Sequence, residues 1–369
     1  MRILVLNWRD WGHPRAGGAE EDLHQFCSRA ARDGHQVDVY CGGFGHATGS
    51  VSLDGCTINR VGNSLSVYCR VAWELARGQR RREWDVIIDD INGVPFFSPL
   101  YRAEPVVAIF HHAVGRTFFQ EVPFPLPLVG LSAERLVPSA YRRAVITVRS
   151  LRIKQELIRR GAEASRVRVI PSGIDHSAFS PRSAKSAAPK LLFVGPVKRY
   201  KHPEIALEAL SRLLRFNASS SLDIIGWSTR EMRQNVMHTA RLLGVADHVN
   251  FMGFVTDKEK AVLMSRAWVL LLPSEREGWS LAAVESGACG TPTVAFDVGG
   301  LVDSVRDGES GLLVPFGNRE GFEDAVLRII TDETLRTKLE RGALRWTQQF
   351  SWDRYYGDMM SALRNAPLF

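Results

Sequence analysis

The chain has few of the features that would place it outside an ordinary intracellular, globular class. Its five cysteines, Cys27, Cys41, Cys56, Cys69 and Cys289, are scattered, odd in number and form no C-x-x-C pair, so neither a disulfide framework nor a zinc site is expected. A reducing compartment suits such a chain. No stretch approaches the ~20 apolar residues of a membrane-spanning helix, and "MRILVLNW" has one basic residue and too short an apolar run for a signal peptide. A cytoplasmic protein is expected. Neither "HPRAGGAE" nor "GGFGHATG" supplies the G-x-G-x-x-G that a dinucleotide oxidoreductase carries after its first strand. No repeat period recurs, which excludes a solenoid.

What is present is 369 residues, 45% hydrophobic and 24% charged, room for roughly two domains with cores of their own. The formal charge of +7 favours anionic partners: phosphorylated metabolites, nucleic acid or an acidic membrane surface. The densest basic cluster, "RGQRRREWD" at 77–85, reads as a helix end before a strand, where cations suit the helix dipole. A polyanion or membrane patch is the second reading. No face collects Lys and Arg among exposed aromatics, so a nucleic-acid partner is not expected.

Short apolar runs read as buried parallel strands: "RILVL" (2–6), "QVDVY" (36–40), "DVIID" (85–89), "PVVAIF" (105–110), "AVITV" (144–148) and "RVRVI" (166–170). A second series comprises "KLLFV" (190–194), "LDIIG" (222–226), "HVNFM" (248–252), "WVLLL" (268–272), "TPTVAF" (291–296) and "GLLVP" (311–315). Amphipathic stretches separate them, so the fold class is α/β with two doubly wound, Rossmann-like sheets. The expected domains are 1–180 and 191–351, joined by the aperiodic linker "SPRSAKSAAPK" around 181–190. A terminal helix over 352–369 carries Trp352, Tyr355, Tyr356, Met359 and Met360 as an apolar stripe that has to pack on something.

Two such domains place a ligand cleft at the carboxyl ends of their strands, which directs attention to strand-to-helix loops. "EREGWSLAAVE" (275–285) is one. Glu277 falls in the loop and Glu285 inside the helix, roughly 8 Å along its axis at 1.5 Å per residue. Between them the N–H groups of Ser280 and Leu281 and the positive dipole end make an anion site, and Gly278 lets backbone approach a phosphate. A carboxylate on either side of a phosphate suits a nucleotide sugar, with hydroxyls at both ends. Two plainer readings stand beside this one. Ser274 and Glu277 fit a capping box, although a helix begun there meets Gly278 almost at once. Glu285 is an ordinary solvent-facing glutamate in the other, although its neighbours Ala282, Ala283, Ser286, Gly287 and Ala288 are small enough for close packing.

The stretch "EGWSLAAVESGACGTPTVAFDVGGLVDSVRDGESGLLV" (277–314) resembles the signature region of the retaining family 4 glycosyltransferases with the GT-B fold. The likeness extends through "GGAEEDLHQFCSRAARDGHQVDVY", "VRVIPSGID", "LLFVGPVKRYKHPEIALEAL", "VNFMGFV" and "LLLPSEREGW", in that order. It implies two Rossmann-like domains facing a central cleft, the terminal helix packing back on the first. In such enzymes the first glutamate of the E-x7-E pair contacts the transferred sugar, here Glu277, and the second binds the ribose, here Glu285.

The resemblance also implies an arginine and a lysine on the donor diphosphate. Lys201 matches the lysine, but Pro196 stands at the arginine position, leaving Arg199 and Lys198 as the candidates to supply the missing charge. A solvated basic turn is the plainer reading of "GPVKRYKH". Gly17 and Gly18 match the glycine loop facing the diphosphate, with Glu20 and Glu21 suiting the helix start. Gly278, Ser280 and Leu281 complete the expected diphosphate set. His111 matches a histidine near the transferred sugar, with His112 the second candidate.

The implied reaction is transfer from a nucleoside diphosphate sugar, UDP- or GDP-linked, to an acceptor hydroxyl with retention, without metal or cofactor and without a protein general base. The acceptor is expected on the first domain, as a small molecule, a glycan or a lipid-linked sugar. There "RTFFQEVPFPLPLVGLSAERL" (116–136) stands out, its Pro123, Pro125 and Pro127 breaking helix. An acceptor lid, a peripheral contact at the inner face of a membrane and a buried connection are its three readings. The alternative function is a catalytically weakened nucleotide-sugar or glycan-binding protein of the same fold, which Pro196 keeps open.

Overall fold

Every apolar run named above forms a strand. The structure, a computed structural model, describes residues 1–77, 83–115, 119 and 124–367. Residues 78–82, with the basic Arg80, Arg81 and Arg82, and most of 116–123, Pro123 among them, lie outside the described residues. The chain divides into one unit of Met1–Gly173 with Trp352–Phe369 and a second of Ile174–Ser351.

The first unit runs β1 (Arg2–Leu6), α1 (Gly18–Arg32), β2 (Gln36–Cys41), β3 (Gly49–Leu53), β4 (Cys56–Arg60), α2 (Val67–Arg77), β5 (Val86–Ile91), β6 (Val106–Phe110), α3 (Leu126–Ala140), β7 (Val145–Val148), α4 (Leu151–Arg159) and β8 (Val167–Val169). Its sheet has the order β3-β4-β2-β1-β5-β6-β7-β8, parallel throughout except where β3 meets β4. That hairpin had no apolar run to announce it, since β3 is largely exposed. Its turn was nonetheless legible: Asp54 and Gly55 both take positive φ, 52° and 80°, as a two-residue Asp-Gly hairpin turn requires.

Helix α3 corrects one expectation. Pro127 lies in the first turn of this helix instead of breaking it, and Pro138 sits in its interior. A first-turn proline gives up an N–H that has no helical partner in any case.

The second unit runs β9 (Lys190–Val194), α5 (Pro203–Leu214), β10 (Ser221–Ile225), α6 (Arg230–Leu242), β11 (Val249–Gly253), α7 (Asp257–Arg266), β12 (Val269–Leu272), α8 (Leu281–Ala288), β13 (Thr293–Phe296), α9 (Leu301–Ser304), β14 (Gly311–Val314), α10 (Arg319–Thr331) and α11 (Glu333–Thr347). Its sheet is wholly parallel, in the order β11-β10-β9-β12-β13-β14.

The unit begins at Ile174, ahead of the expected boundary at 180, because Ile174 and Phe179 join a core with Met264, Val284 and Leu301. Residues 181–190 are strapped to the same unit. Lys185 Nζ donates to the Ala267 carbonyl at 2.7 Å, the Ser186 N–H donates to Arg266 O at 3.0 Å, and the Trp268 indole donates to Ser186 O at 2.8 Å.

The chain then returns to the first unit as α12 (Trp352–Arg364). Trp352, Tyr355, Met359 and Met360 are buried there. Arg149, itself buried, donates to Tyr355 Oη at 2.8 Å and to Asp22 Oδ2 at 2.7 Å. The stripe on the terminal helix is thus satisfied by α1 and the sheet behind it.

Candidate functional site

In the second unit the strand order reverses between β9 and β12, and doubly wound sheets bind ligands outside the carboxyl ends at such a reversal. The loop after β9 makes a single 3-10 turn, Arg199–Lys201, and the loop after β12 carries Glu277. These two loops meet. Lys201 Nζ donates to Glu277 Oε1, and Ser274 Oγ donates to the same oxygen at 3.0 Å. Burial pulls the Lys201 ammonium down, but the Glu277 carboxylate more than offsets this and holds its pKa above the usual lysine value.

Backbone fixes the loops as well. The Glu275 N–H donates to Tyr200 O at 2.8 Å, and the Gly300 N–H donates to Glu277 O at 2.6 Å. A Cβ at Gly300 would stand 1.9 Å from the Gly278 carbonyl oxygen, so the loop after β13 can lie against the Glu277 loop only if residue 300 is glycine.

Ser280, not Ser274, caps the next helix: its Oγ accepts from the Ala283 N–H at 3.2 Å. The capping-box reading of Ser274 and Glu277 therefore falls, and Glu277 is left for the loop. The N–H of Leu281, at the first turn of α8, has no carbonyl within its own helix to receive it. Glu285 sits one turn further in, 13% exposed at its side chain and 3.1 Å from Lys260 Nζ on α7. Burial lowers the Lys260 pKa, and Glu285 with Asp257 reverses that, leaving it raised. The solvent-facing reading of Glu285 does not hold. No sequence signal linked Lys260 to Glu285, since 25 residues separate them.

Around Tyr200 three cations gather. Arg276 Cζ lies 4.9 Å, Lys198 Nζ 5.5 Å and Lys201 Nζ 5.8 Å from its ring centroid. Arg199, in the same turn, is exposed.

In the first unit the corresponding reversal lies between β1 and β5. Gly17 and Gly18 open α1 as expected, but the Gly17 N–H already donates to Glu20 Oε2 at 2.7 Å. Glu20 is buried and also pairs with Arg9 at 2.8 Å. His111 follows β6, buried, with Nε2 2.6 Å from Asp90 Oδ1 on β5; His112 beside it is half-buried. Burial pushes the Asp90 carboxyl above its usual range, against the pull of His111. Asp90 was missed in the sequence although "VIIDDI" shows it: acids at the carboxyl end of an otherwise apolar, buried strand are a signal of their own.

Residues 177–346 match the family profile of the glycosyl transferases group 1, and residues 16–178 that of Glycosyltransferase Family 4. The chain belongs to the family 4 glycosyltransferases. A D-inositol 3-phosphate glycosyltransferase from Acidothermus cellulolyticus is 34% identical over 253 residues, 64% of this chain and 54% of that protein. The chain thus spans about half the length of the curated relatives it matches. Among solved structures, a sucrose-phosphate synthase from Thermosynechococcus elongatus superposes with a TM-score of 0.83 at 21% identity, covering 98% of each chain. HepE of Anabaena, solved in complex with UDP-glucose, gives 0.76 at 18% identity over 99% of each. The fold is that of the GT-B glycosyltransferases. Within a family 4 glycosyltransferase, the pair Glu277 and Glu285 flanks the first turn of α8 as the sequence spacing implied.

Proposed function

We propose that the protein transfers a sugar from a nucleoside diphosphate sugar, UDP- or GDP-linked, to an acceptor hydroxyl with retention of configuration and without a metal or cofactor. The Lys201–Glu277 pair at the β9/β12 reversal carries this reading. Glu277, held by Lys201 and Ser274, accepts hydroxyls of the transferred sugar through its remaining lone pairs. Glu285 accepts the ribose hydroxyls. The amides of Gly278, Ser280 and Leu281 face the diphosphate, where the α8 dipole favours negative charge.

As the bond from the anomeric carbon to the phosphate oxygen breaks, its electron pair stays on the diphosphate and Lys201 stabilises that charge. The acceptor oxygen bonds to the anomeric carbon on the same face, and its proton passes to the departing phosphate oxygen. No protein base is then required. The acceptor belongs to the first unit in this reading, where Asp90 orients His111. The glucose-containing donor in the HepE structure and the inositol phosphate in the curated relatives' name agree with a nucleotide sugar and a hydroxyl acceptor.

Peripheral membrane contact is the proposal for α3, whose Leu128, Val129 and Leu136 are 48%, 60% and 54% exposed. Among the described residues no helix is long and apolar enough to cross a membrane. Sedimentation with anionic vesicles, wild type against Leu128→Ser/Val129→Ser, tests it; equal partition overturns it.

A thermal-shift panel of UDP, GDP, ADP and TDP sugars tests the donor class, because a ligand that binds only the folded state raises its melting temperature. One donor is expected to stand out, and Glu277→Ala is expected to abolish product while nucleotide binding persists. Product formation unchanged in that variant rejects the site. Binding without turnover in the wild type, against every acceptor offered, favours instead the weakened binding protein that Pro196 suggests.

A further inference from the structure

We propose that Arg276 is the second diphosphate cation of the donor site, reaching from the β12 loop to the position that Pro196 leaves uncharged on the β9 loop. This rests on the donor reading above and adds a residue to it.

The electrostatic need is visible in the pair already described. Lys201 is the buried cation of the β9 loop, but Glu277 beside it cancels its charge. A diphosphate placed there meets a locally neutral pair, and it gains negative charge as the glycosidic bond breaks. A further cation close to Lys201 is required for the site to favour the departing group over the bound sugar.

Arg276 meets the positional demand. It directly precedes Glu277 in the chain, and its guanidinium lies 4.9 Å from the Tyr200 ring centroid, the ring that Lys201 also approaches at 5.8 Å. The hydrogen bond from the Glu275 N–H to Tyr200 O, 2.8 Å long, locks the residue before Arg276 to the residue before Lys201. Both cations are therefore carried on one stitched pair of loops at the strand-order reversal. Their charges are felt mutually, since Arg276 works against protonation of Lys201 while Glu277 favours it.

A planar guanidinium packed on an aromatic ring keeps its N–H fork in one plane, the geometry that takes two oxygens of a phosphate at once. Arg199, the candidate chosen from sequence, is exposed in the turn and has no such platform among the described contacts. Lys198, 5.5 Å from the same ring, is a point charge and a lesser candidate for bidentate contact.

The test compares nucleotides that differ by one phosphate. Calorimetric affinities for UDP and UMP, with GDP and GMP in parallel, are measured on the wild type, Arg276→Gln and Arg276→Lys. Glutamine keeps most of the stem on Tyr200 and removes the charge; lysine keeps the charge and loses the fork. Arg276→Gln is expected to weaken the preferred diphosphate about 10-fold, equivalent to about 1.4 kcal/mol, with the monophosphate within about twofold. Arg276→Lys should fall between, and the salt dependence of diphosphate affinity should flatten in the glutamine variant. Equal losses for diphosphate and monophosphate, or no loss for either, overturn the role of Arg276 and leave the donor site standing. A wild type that binds neither UDP nor GDP overturns the donor reading, and the Arg276 proposal with it. Should Arg276→Gln not fold, full wild-type diphosphate affinity in Arg276→Lys overturns bidentate recognition by itself.

Discussion

His111 Nε2 lies 2.6 Å from Asp90 Oδ1, joining two buried side chains at the carboxyl ends of the neighbouring strands β5 and β6. An ionised Asp90 accepts the Nε2 proton and so fixes which ring nitrogen carries it, leaving Nδ1 for any group that enters from outside. The carboxylate positions the histidine and does not touch substrate in this scheme.

Asp90→Asn therefore serves as the probe of that arrangement. Turnover is expected to fall between about 10- and 100-fold, as for a misaligned reacting group, with donor affinity little changed. His111→Gln, which retains a hydrogen-bonding side chain, should recover nothing when combined with Asp90→Asn. A kcat and a pH profile identical to wild type in Asp90→Asn would show the contact to be structural only.

The Lys201–Glu277 pair is expected to behave as a buried ion pair when cut. Lys201→Met leaves Glu277 without its cation and should destabilise the protein by about 3 to 5 kcal/mol. Adding Glu277→Gln should restore much of that stability while turnover stays lost. Thermal melts alongside activity separate the two effects, and a double variant as unstable as the single one contradicts the pairing.

Glu285→Ala should weaken the donor nucleotide by roughly 1 to 3 kcal/mol, the range for removing a charged hydrogen-bond partner. Lys260→Met is expected to weaken it less, since Lys260 orients Glu285 from 3.1 Å and is not assigned a contact of its own. Unchanged affinity in a titration of Glu285→Ala removes the ribose assignment.

His24 gives the protein a pH-dependent contribution. The hydrogen bond to Glu21 raises its pKa above 6.5, burial opposes this, and Asp54 at 3.1 Å adds to the rise. A raised folded pKa means the native state binds more proton, so this stability is fully present below pH 6.5 and is lost as pH climbs through the folded value. For a partly exposed pair the size is about 0.2 to 1 kcal/mol. The melting-temperature gap between wild type and His24→Gln should thus be open at pH 5.5 and closed at about pH 9; a gap that widens with pH reverses the sign and rejects it.

Two glycines make a contrast between space and backbone. Gly300→Ala must push Cβ against a carbonyl oxygen 1.9 Å away and is expected to cost about 3 kcal/mol. Gly308, at φ +68° with open space around it, should cost about 1 kcal/mol on the same change. Melting curves that rank them in the other order refute the close approach of the Glu277 loop.

Buried parallel strands are written in the chain because both of their faces need apolar residues, and every such run was a strand. The exposed β3 carried no such pattern, and the Asp-Gly turn was its sole mark. The E-x7-E spacing likewise determined that Glu277 and Glu285 flank a helix start, since helix rise and loop length are local quantities. Which cation each glutamate meets was not local. Lys201, Lys260 and Arg276 come to their partners through strand order, with β9 placed beside β12 and α7 against α8, and through the hydrogen bond joining Glu275 to Tyr200. So the chain alone named the carboxylates, while tertiary pairing of distant loops decided where the positive charge stands, because strand order and the stitching of the loops bring residues 76 positions apart into contact.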